Sequence, residues 1–535
     1  MLVFPFFLNA GSSVYAEGPQ DAAPQLQPVG TSNGKKVLFD NTHGQTAGAA
    51  DWVLDGGFSD LANALAGKGY YAKELRKSTP ITYQDLSGYD VLVIGEANIP
   101  YKTSEQAALL QYVQNGGSIF FIADHYNADR NKNRWDASEV FNGYRRGAYP
   151  NPTKGMTSEE ASSQAMTGVQ GSDWLSDNFG IRFRYNALGD ITANDIVPSS
   201  QAFGITSGVS TIAMHAGSTL AITDPNKAKG IVYLPQTSAA WSNAVDQGVY
   251  SGGGRAEGPF VAVSKVGAGK AAFIGDSSPV EDATPKYLRE ETGAKKTTYD
   301  GFKEQNDGTL LVNVVNWLSK QESYTSLSQV SGLQLDQPTS LLSMETPQNS
   351  TEPQSEPWSA PSAGYKWYDP STFKAGSYGY GSGSTGGGTT TGTVNEAFET
   401  GTKGAYAAGN VTLSSGSWYF DNALLGNQSG DLKNGSQSAR IKASGSIFMN
   451  FDVNGAASVQ ITSGNFGSDT GATWQLQKST NQGSTWTNAG SSHTSSSSLG
   501  TTTVSVNQTG SVRFKIVVSG SSGSRLNIDD FIVSN

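Results

Sequence analysis

Two of the four histidines, His43 and His125, lie shortly after short apolar stretches of the sequence, and each has an acidic neighbour. Asp40 precedes His43, Asp124 precedes His125, and Asp276 follows a further apolar stretch. Neutral imidazole and carboxylate are the usual ligands of a hydrolytic metal ion, which lowers the pKa of bound water enough to make a nucleophile near neutral pH. We therefore predict that Asp40, His43, His125 and Asp276 bind a divalent metal, which is Mg, Mn, Zn or Ca.

His125 is followed by a cluster of arginines that could clamp a phosphodiester: Arg130, Arg134, Arg145 and Arg146. The sequence thus predicts metal-assisted hydrolysis, with a catalytic set of His43, His125, Asp124, Arg130 and Arg134. This set favours a secreted, metal-dependent nuclease or phosphodiesterase. The alternatives are a glycan-directed hydrolase or esterase, and a non-catalytic surface binding protein, so the polymer it contacts is nucleic acid or glycan.

The block Asp276-Ser277-Ser278 offers a second chemistry, in which a serine is the nucleophile and His43 or His125 is its base. The sequence lacks the Gly-x-Ser-x-Gly elbow that usually presents such a serine. We therefore favour Asp276 as a metal ligand or an orienting acid. The other two histidines, His215 and His493, are interpreted as structural or surface residues.

The elements that must position these residues read as an α/β domain over residues 34–320. Continuous apolar strands at 36–40, 90–95 and 118–123 alternate with amphipathic helices at 53–67 and 104–115. This alternation predicts a parallel sheet flanked by helices, a flavodoxin-like fold. Because the carboxyl ends of parallel strands line one crevice, we expect His43, His125 and Asp276 to lie within about 10 Å of one another.

The remaining segments predict a secreted protein of two domains. Residues 1–16 are apolar and end in Val14-Tyr15-Ala16, which is typical of a signal peptide. We expect a disordered lead at 17–33, a Pro/Ser/Gly-rich flexible linker at 321–393 and a β-sandwich at 394–535. The linker contains an aromatic docking motif, Tyr365-Lys366-Trp367-Tyr368. We expect a monomer that makes no stable membrane contact after the leader is removed.

Composition excludes several classes of site. The sequence has no cysteine, so disulfides, thiol nucleophiles and cysteine zinc sites are absent. With 46 acidic and 36 basic residues, the net charge of −10 argues against a protein that holds nucleic acid mainly through a basic surface. A nuclease that contacts DNA transiently remains compatible with this charge.

Residues 35–320 resemble the glutamine-amidotransferase-like superfamily in their strand pattern and in Gly116-Gly117, which precedes the strand ending at Ala123. The amidotransferases proper carry a cysteine nucleophile after a central strand, whereas this strand end reads Ala123-Asp124-His125. The resemblance therefore implies one of the cysteine-lacking branches of the superfamily, some of which are non-catalytic.

The C-terminal part resembles a jelly-roll module that is appended to secreted bacterial hydrolases, nucleases among them. The matching residues are the opening Glu396-Ala397-Phe398-Glu399 and the closing Asn527-Ile528-Asp529-Asp530-Phe531. The resemblance implies that the first and last strands pair, and that Glu396, Glu399, Asp529 and Asp530 share a structural calcium ion. Four aromatic residues of this module could stack on sugars or bases, or could belong to its core: Trp418, Tyr419, Trp474 and Trp486.

Overall fold

A computed structural model describes residues 17–19, 21–352, 359–380, 394–481 and 483–534. The chain divides into two compact units, Met1–Tyr380 and Gly381–Asn535. The predicted signal peptide at 1–16 and the glycine-rich stretch at 381–393 lie outside the described residues. None of the helices in the described ranges combines the length and the apolar character that a bilayer crossing requires.

The first unit is built on a nine-stranded sheet in the order β1-β3-β2-β4-β5-β13-β12-β11-β8. Its strands, with those of two small sheets, β6-β10 and β7-β9, are β1 (Gln25–Leu26), β2 (Lys36–Asp40), β3 (Tyr71–Leu75), β4 (Val91–Gly95), β5 (Ser118–Ile122), β6 (Ile181–Phe183), β7 (Ile191–Ala193), β8 (Asp195–Ile196), β9 (Ile212–Met214), β10 (Leu220–Ile222), β11 (Ala228–Tyr233), β12 (Pro259–Val266) and β13 (Gly269–Ile274). Its helices are α1 (Ser59–Gly67), α2 (Tyr83–Leu86), α3 (Thr103–Gln114), α4 (Ala137–Asn142), α5 (Ser158–Ala161), α6 (Trp174–Phe179) and α7 (Asp307–Leu318).

The predicted flavodoxin-like parallel sheet is wrong, because the nine-stranded sheet is mixed. Strands β3, β2, β4, β5 and β13 run parallel, but β1 pairs antiparallel with β3, and β12, β11 and β8 continue the other edge in antiparallel pairs. Helices account for only 16% of the described residues and strands for 29%. The predicted resemblance to the glutamine-amidotransferase-like superfamily is wrong for the same reason.

Side chains alternate between the two faces of the sheet. In β2, Val37 and Phe39 belong to one hydrophobic cluster, whereas Leu38 between them belongs to another. The first cluster also contains apolar residues of α1 and α7, and the second contains residues of α3. Both faces of the central strands are therefore buried, which accounts for their continuous apolar sequence.

The described part of the predicted flexible linker packs against the first unit. Glu345 forms a bidentate ion pair with Arg184, with two N–O distances of 2.7 Å, and both side chains are buried. The indole of Trp367, in the predicted docking motif, donates to Glu160 at 2.8 Å. Residues up to Tyr380 are accordingly part of the first compact unit.

At the start of α7, Asp307 is buried and one of its carboxylate oxygens has no hydrogen-bond partner. Burial raises the pKa of Asp307 to about 8. The folded state therefore holds a proton that the unfolded chain releases above about pH 4, so the free energy of unfolding falls as pH rises from about 4 to 8. We expect Asp307→Asn to raise the free energy of unfolding at pH 8 by about 1–3 kcal/mol.

Urea unfolding followed by tryptophan fluorescence at pH 4 and pH 8 measures this effect. The gain from Asp307→Asn should nearly vanish at pH 4, where the carboxyl is protonated in the folded state and about half protonated in the unfolded chain. Asp300→Asn is the control, because that carboxylate is half exposed and pairs with Lys303 on the surface. An equal gain at both pH values would contradict the protonated carboxyl.

The second unit is entirely antiparallel. Its sheet follows the order β15-β16-β17-β23-β18-β22-β19-β20, while β14 joins β23 and β21 joins β19. The strands are β14 (Val394–Glu396), β15 (Gly409–Leu413), β16 (Gly416–Gly426), β17 (Ser438–Met449), β18 (Val453–Asn465), β19 (Thr473–Ser479), β20 (Thr487–Asn488), β21 (His493–Thr494), β22 (Gly500–Ser519) and β23 (Arg525–Ser534). Val394 pairs with Val533, so the predicted pairing of the first and last strands is confirmed.

Candidate functional site

A cavity of about 160 Å³ opens beside the carboxyl ends of β5 and β13 in the first unit. The two strands are parallel neighbours, with Ile122 opposite Ile274, so the residues that follow them emerge side by side. The lining residues are Ala49, Ala50, Trp52, Asp124, His125, Arg130, His215, Ala216, Ser278, Glu281, Thr297 and Tyr299. Two carboxyl groups and an arginine thus share one small, partly aromatic cavity.

The two carboxyl groups of the cavity, Asp124 and Glu281, are bridged by one hydroxyl. Ser277 Oγ lies 2.7 Å from Glu281 Oε1 and 3.4 Å from Asp124 Oδ2. Glu281 also accepts hydrogen bonds from the Trp52 indole at 2.7 Å and from the Tyr299 N–H at 3.0 Å. Ser277 donates its hydroxyl hydrogen bond to a carboxylate and not to a histidine. The serine-nucleophile alternative therefore lacks the histidine base that it requires.

The pKa values of both carboxyl groups are raised. Burial raises the pKa of Asp124 to about 6, against the opposing effect of the Arg130 guanidinium with which it forms an ion pair. Burial also raises the pKa of Glu281, while its hydrogen bonds from Ser277, Tyr299 and Trp52 oppose that rise. Carboxyl groups that share a site and have raised pKa values are suited to general acid–base work.

Arg130 is held between acidic and aromatic groups. Its guanidinium pairs with Asp124, lies 3.6 Å from Glu96, and stacks over the Trp52 ring at 5.2 Å. Glu96 follows β4 and is buried, which raises its pKa well above the usual range. Arg130 is therefore the cation that balances the acidic wall of the cavity.

His125 lines the cavity, and its buried ring is neutral. The imidazole lies 3.9 Å from the Trp241 ring, and its Nδ1 is 3.2 Å from the Tyr126 carbonyl oxygen. Burial, aided by Arg130, lowers the pKa of His125 to about 3. A base this weak takes up little proton at neutral pH, so the geometry favours a binding contact for His125 over proton transfer.

His43 is not among the residues that line the cavity. Its Nε2 lies 3.3 Å from Glu105 Oε1 and its Nδ1 lies 3.5 Å from Asp40 Oδ2, and the ring packs on Tyr101. Although burial alone would lower it, these carboxylates raise the pKa of His43 to about 9. His43 and Asp40 therefore form a buried cluster with Glu105, apart from the residues that line the cavity.

Asp276 is buried and contacts residues that line the cavity. Its carboxylate accepts hydrogen bonds from the backbone N–H groups of His215, at 2.6 Å, and Ser278, at 2.8 Å. Burial and the nearby Asp124 raise its pKa well above the usual range. Asp276 thus fixes the backbone of two lining residues, His215 and Ser278.

The predicted arginine clamp is largely neutralised by ion pairs. Arg134 binds Glu160 at 2.7 Å and Arg146 binds Asp246 at 3.0 Å. Arg145 Nη2 donates to the Lys154 carbonyl oxygen at 2.8 Å. Of the four predicted arginines, Arg130 is the one that lines the cavity.

The predicted metal sites are not assembled. Across the ranges that the structure describes, no group of three or more His, Asp or Glu side chains is arranged to hold a metal ion. In the second unit, Glu396 accepts hydrogen bonds from Ser414 and Ser415, while Glu399, Asp529 and Asp530 accept hydrogen bonds from Ser436 and Asn434. The prediction of a metal-dependent nuclease is corrected, since its ligand set does not come together.

Several lining residues lie outside the predicted site, among them Trp52, His215 and Tyr299. The sequence predicts a structural or surface role for His215, but its side chain lines the cavity. Its ring stacks on Tyr299 at 4.2 Å, and its Nε2 lies 2.8 Å from Glu304. Glu281 follows Asp276-Ser277-Ser278 in the same loop, and that proximity is the one sequence signal that pointed to it.

No protein-family model matches the chain, and no curated protein sequence matches it. Among solved structures, the N-terminal domain of mmIFT52 covers 54% of this chain and 100% of its own, at 12% identity and a TM-score of 0.33.

Carbohydrate-binding domains are among the other similar structures. The carbohydrate-binding module TmCBM61, in complex with β-1,4-galactotriose, matches 22% of this chain and 85% of its own, at 16% identity and a TM-score of 0.18. The xylan-binding CBM22-1 domain of Xyn10C from Paenibacillus barcinonensis matches 26% of this chain and 92% of its own, at 10% identity and a TM-score of 0.20. Likenesses at these TM-scores carry no argument about function.

Proposed function

We propose that the protein is a glycan-directed hydrolase in which Asp124 and Glu281 form the acid–base pair. The observation that carries the proposal is the cavity itself, where a carboxyl group with a pKa of about 6 is bridged through one serine hydroxyl to a second carboxyl group. Two neighbouring carboxyl groups with different surroundings are the usual machinery of glycosidic bond hydrolysis.

The two carboxyl groups have different partners, which assigns their roles. Glu281 accepts three hydrogen bonds, and these favour its carboxylate form. Asp124 carries a proton below about pH 6 and would donate it to the glycosidic oxygen as the bond breaks. Glu281 would act on the other side of the scissile bond, as base for water or as nucleophile.

The walls of the cavity suit a sugar ring. Trp52 and Tyr299 supply aromatic surface, while the cavity also presents the Ser278 hydroxyl and the neutral His125 imidazole. Aromatic side chains combined with a few polar groups fix the orientation of a small ligand group. A secreted location, predicted from residues 1–16, would place the polymer outside the cell.

The release of reducing ends from a panel of plant and bacterial polysaccharides, measured between pH 4 and pH 8, tests the proposal. Hydrolysis should decline above about pH 6, as Asp124 loses its proton. Because Arg130 lowers the pKa of Asp124, Arg130→Met should move this decline upward by about one pH unit. Arg130→Lys keeps the positive charge and should leave the decline near its wild-type position.

A decline that moves to lower pH in Arg130→Met would contradict the assigned acid. Absence of hydrolysis on every polysaccharide, with the fold intact by circular dichroism, would contradict the hydrolase and leave the non-catalytic binding protein as the better hypothesis.

A further inference from the structure

Three aromatic rings lie side by side on the outer face of the second unit, and we call them the aromatic face: Tyr419, Phe448 and Trp486. The Tyr419 and Phe448 ring centroids are 5.0 Å apart, and those of Phe448 and Trp486 are 5.6 Å apart. All three are partly exposed, whereas the predicted stacking residues Trp418 and Trp474 are buried in the core. Packing of the core therefore does not account for the aromatic face.

Strand register continues the aromatic face into polar residues. Tyr419 of β16 pairs with Phe448 of β17, Phe448 pairs with Lys515 of β22, and Lys515 pairs with Gln477 of β19. The row crosses four adjacent strands and is therefore about 14 Å long. This length accommodates several linked sugar rings. Gln477 donates to Asn488 at 3.0 Å, so an amide pair ends the row.

Lys515 is the charged member of the row. Its ammonium lies 5.8 Å from the Phe448 ring centroid and 5.6 Å from that of Trp486. Its neighbour on the same strand, Arg513, is neutralised by Asp452, but within the described ranges Lys515 has no carboxylate partner. An ammonium held against two rings, without a counter-ion, is available to an anionic group of a ligand.

We propose that the aromatic face binds a neutral glycan chain that carries uronic acid branches. The sugar rings stack on Tyr419, Phe448 and Trp486, a branch carboxylate pairs with Lys515, and the Gln477–Asn488 amides bind hydroxyl groups. One cation fits an occasional carboxylate, whereas a nucleic acid presents a phosphate at every residue and is held by several cations. The site is separate from the Asp124–Glu281 cavity, and its binding does not require hydrolysis.

Binding of glucuronoxylan to the full-length chain tests the inference, with the same polysaccharide after carboxyl reduction as its neutral counterpart. Isothermal titration should show affinity about tenfold weaker for the reduced polymer. Lys515→Met should abolish that difference while binding to the reduced polymer persists. Trp486→Ala should weaken binding to both polymers about tenfold.

Tyr406→Ala is the matched control, because Tyr406 is an aromatic residue of the same unit that contacts Arg440 and Lys442 instead. Equal losses in Trp486→Ala and Tyr406→Ala, or an unchanged carboxyl preference in Lys515→Met, would overturn the inference. So would tighter binding of a single-stranded oligonucleotide that is lost in Trp486→Ala. Repeating the titration with Asp124→Asn separates this site from the proposed hydrolase, since binding should be unaffected there.

Discussion

Ending the chain after Lys320 is expected to lower the free energy of unfolding of the first unit by about 3–5 kcal/mol or more, relative to a chain that ends after Tyr380. The missing segment supplies Glu345, the partner of the fully buried Arg184. It also supplies Asp336, which binds Lys229 and the backbone N–H of Gly230. Removal leaves a buried guanidinium without its counter-ion, and urea unfolding of the two chains measures the difference.

A point substitution isolates the ion pair from the rest of the segment. Glu345→Gln should destabilise the longer chain by about 3–5 kcal/mol, because one partner of a buried pair is lost. Glu159→Gln is the control, since Glu159 and its partner Lys366 are both exposed, so the loss of this surface pair should leave the stability nearly unchanged. If the chains ending at 320 and 380 are equally stable, residues 321–380 behave as the flexible linker that the sequence predicts.

Composition alone could not reveal this packing. A stretch rich in Pro, Ser and Gln cannot form a core of its own, and the sequence indicated that correctly. A few separated side chains, Glu345, Tyr365 and Trp367, nonetheless fit partners on the first unit. Such contacts depend on residues far away in sequence, so a local average does not detect them.

The sheet shows a similar division between what was predictable and what was not. Continuous apolar sequence located β2, β4 and β5, and these strands are parallel neighbours. Strands β12 and β13 are equally apolar, but only two residues, Gly267 and Ala268, connect them. A two-residue connection can join only antiparallel strands, and Gly267 has the positive φ of 58° that such a turn uses. The length of the connection, rather than the apolarity of the strands, therefore indicates that β12 and β13 are antiparallel.

The strand pattern of the sequence accounts for the part of the site that follows directly after strands. Asp124 and His125 follow β5 and line the cavity, and Asp276 follows the adjacent β13 and binds the backbone N–H groups of the lining residues His215 and Ser278. His43 also follows a strand end, but Glu105 of α3 draws its ring into an ion pair that no local pattern encodes. Loop conformation brings Trp52 and Tyr299 to the cavity, and sequence periodicity does not predict it.

Asp124→Asn is expected to reduce hydrolysis of the polysaccharide by about 10²–10⁴-fold, because the amide cannot donate a proton to the leaving sugar. The loss should be much smaller on a 4-nitrophenyl glycoside of the same sugar, since nitrophenolate leaves without protonation. Glu281→Gln should lose activity on both substrates, because both still need a base that activates water or a nucleophile that attacks the sugar carbon. The two variants therefore differ in substrate dependence, and release of reducing sugar and of nitrophenolate measures it.

Asp177→Asn is the matched control, since it makes the same chemical change at an exposed carboxylate on α6 and should retain wild-type rates. Thermal unfolding checks that the buried substitutions leave the first unit folded. In Asp124→Asn, Arg130 keeps its stacking on Trp52 and lies 3.6 Å from Glu96. If Asp124→Asn loses activity equally on both substrates, Asp124 is not the proton donor, and if it retains activity on the polysaccharide, the acid–base pair lies elsewhere.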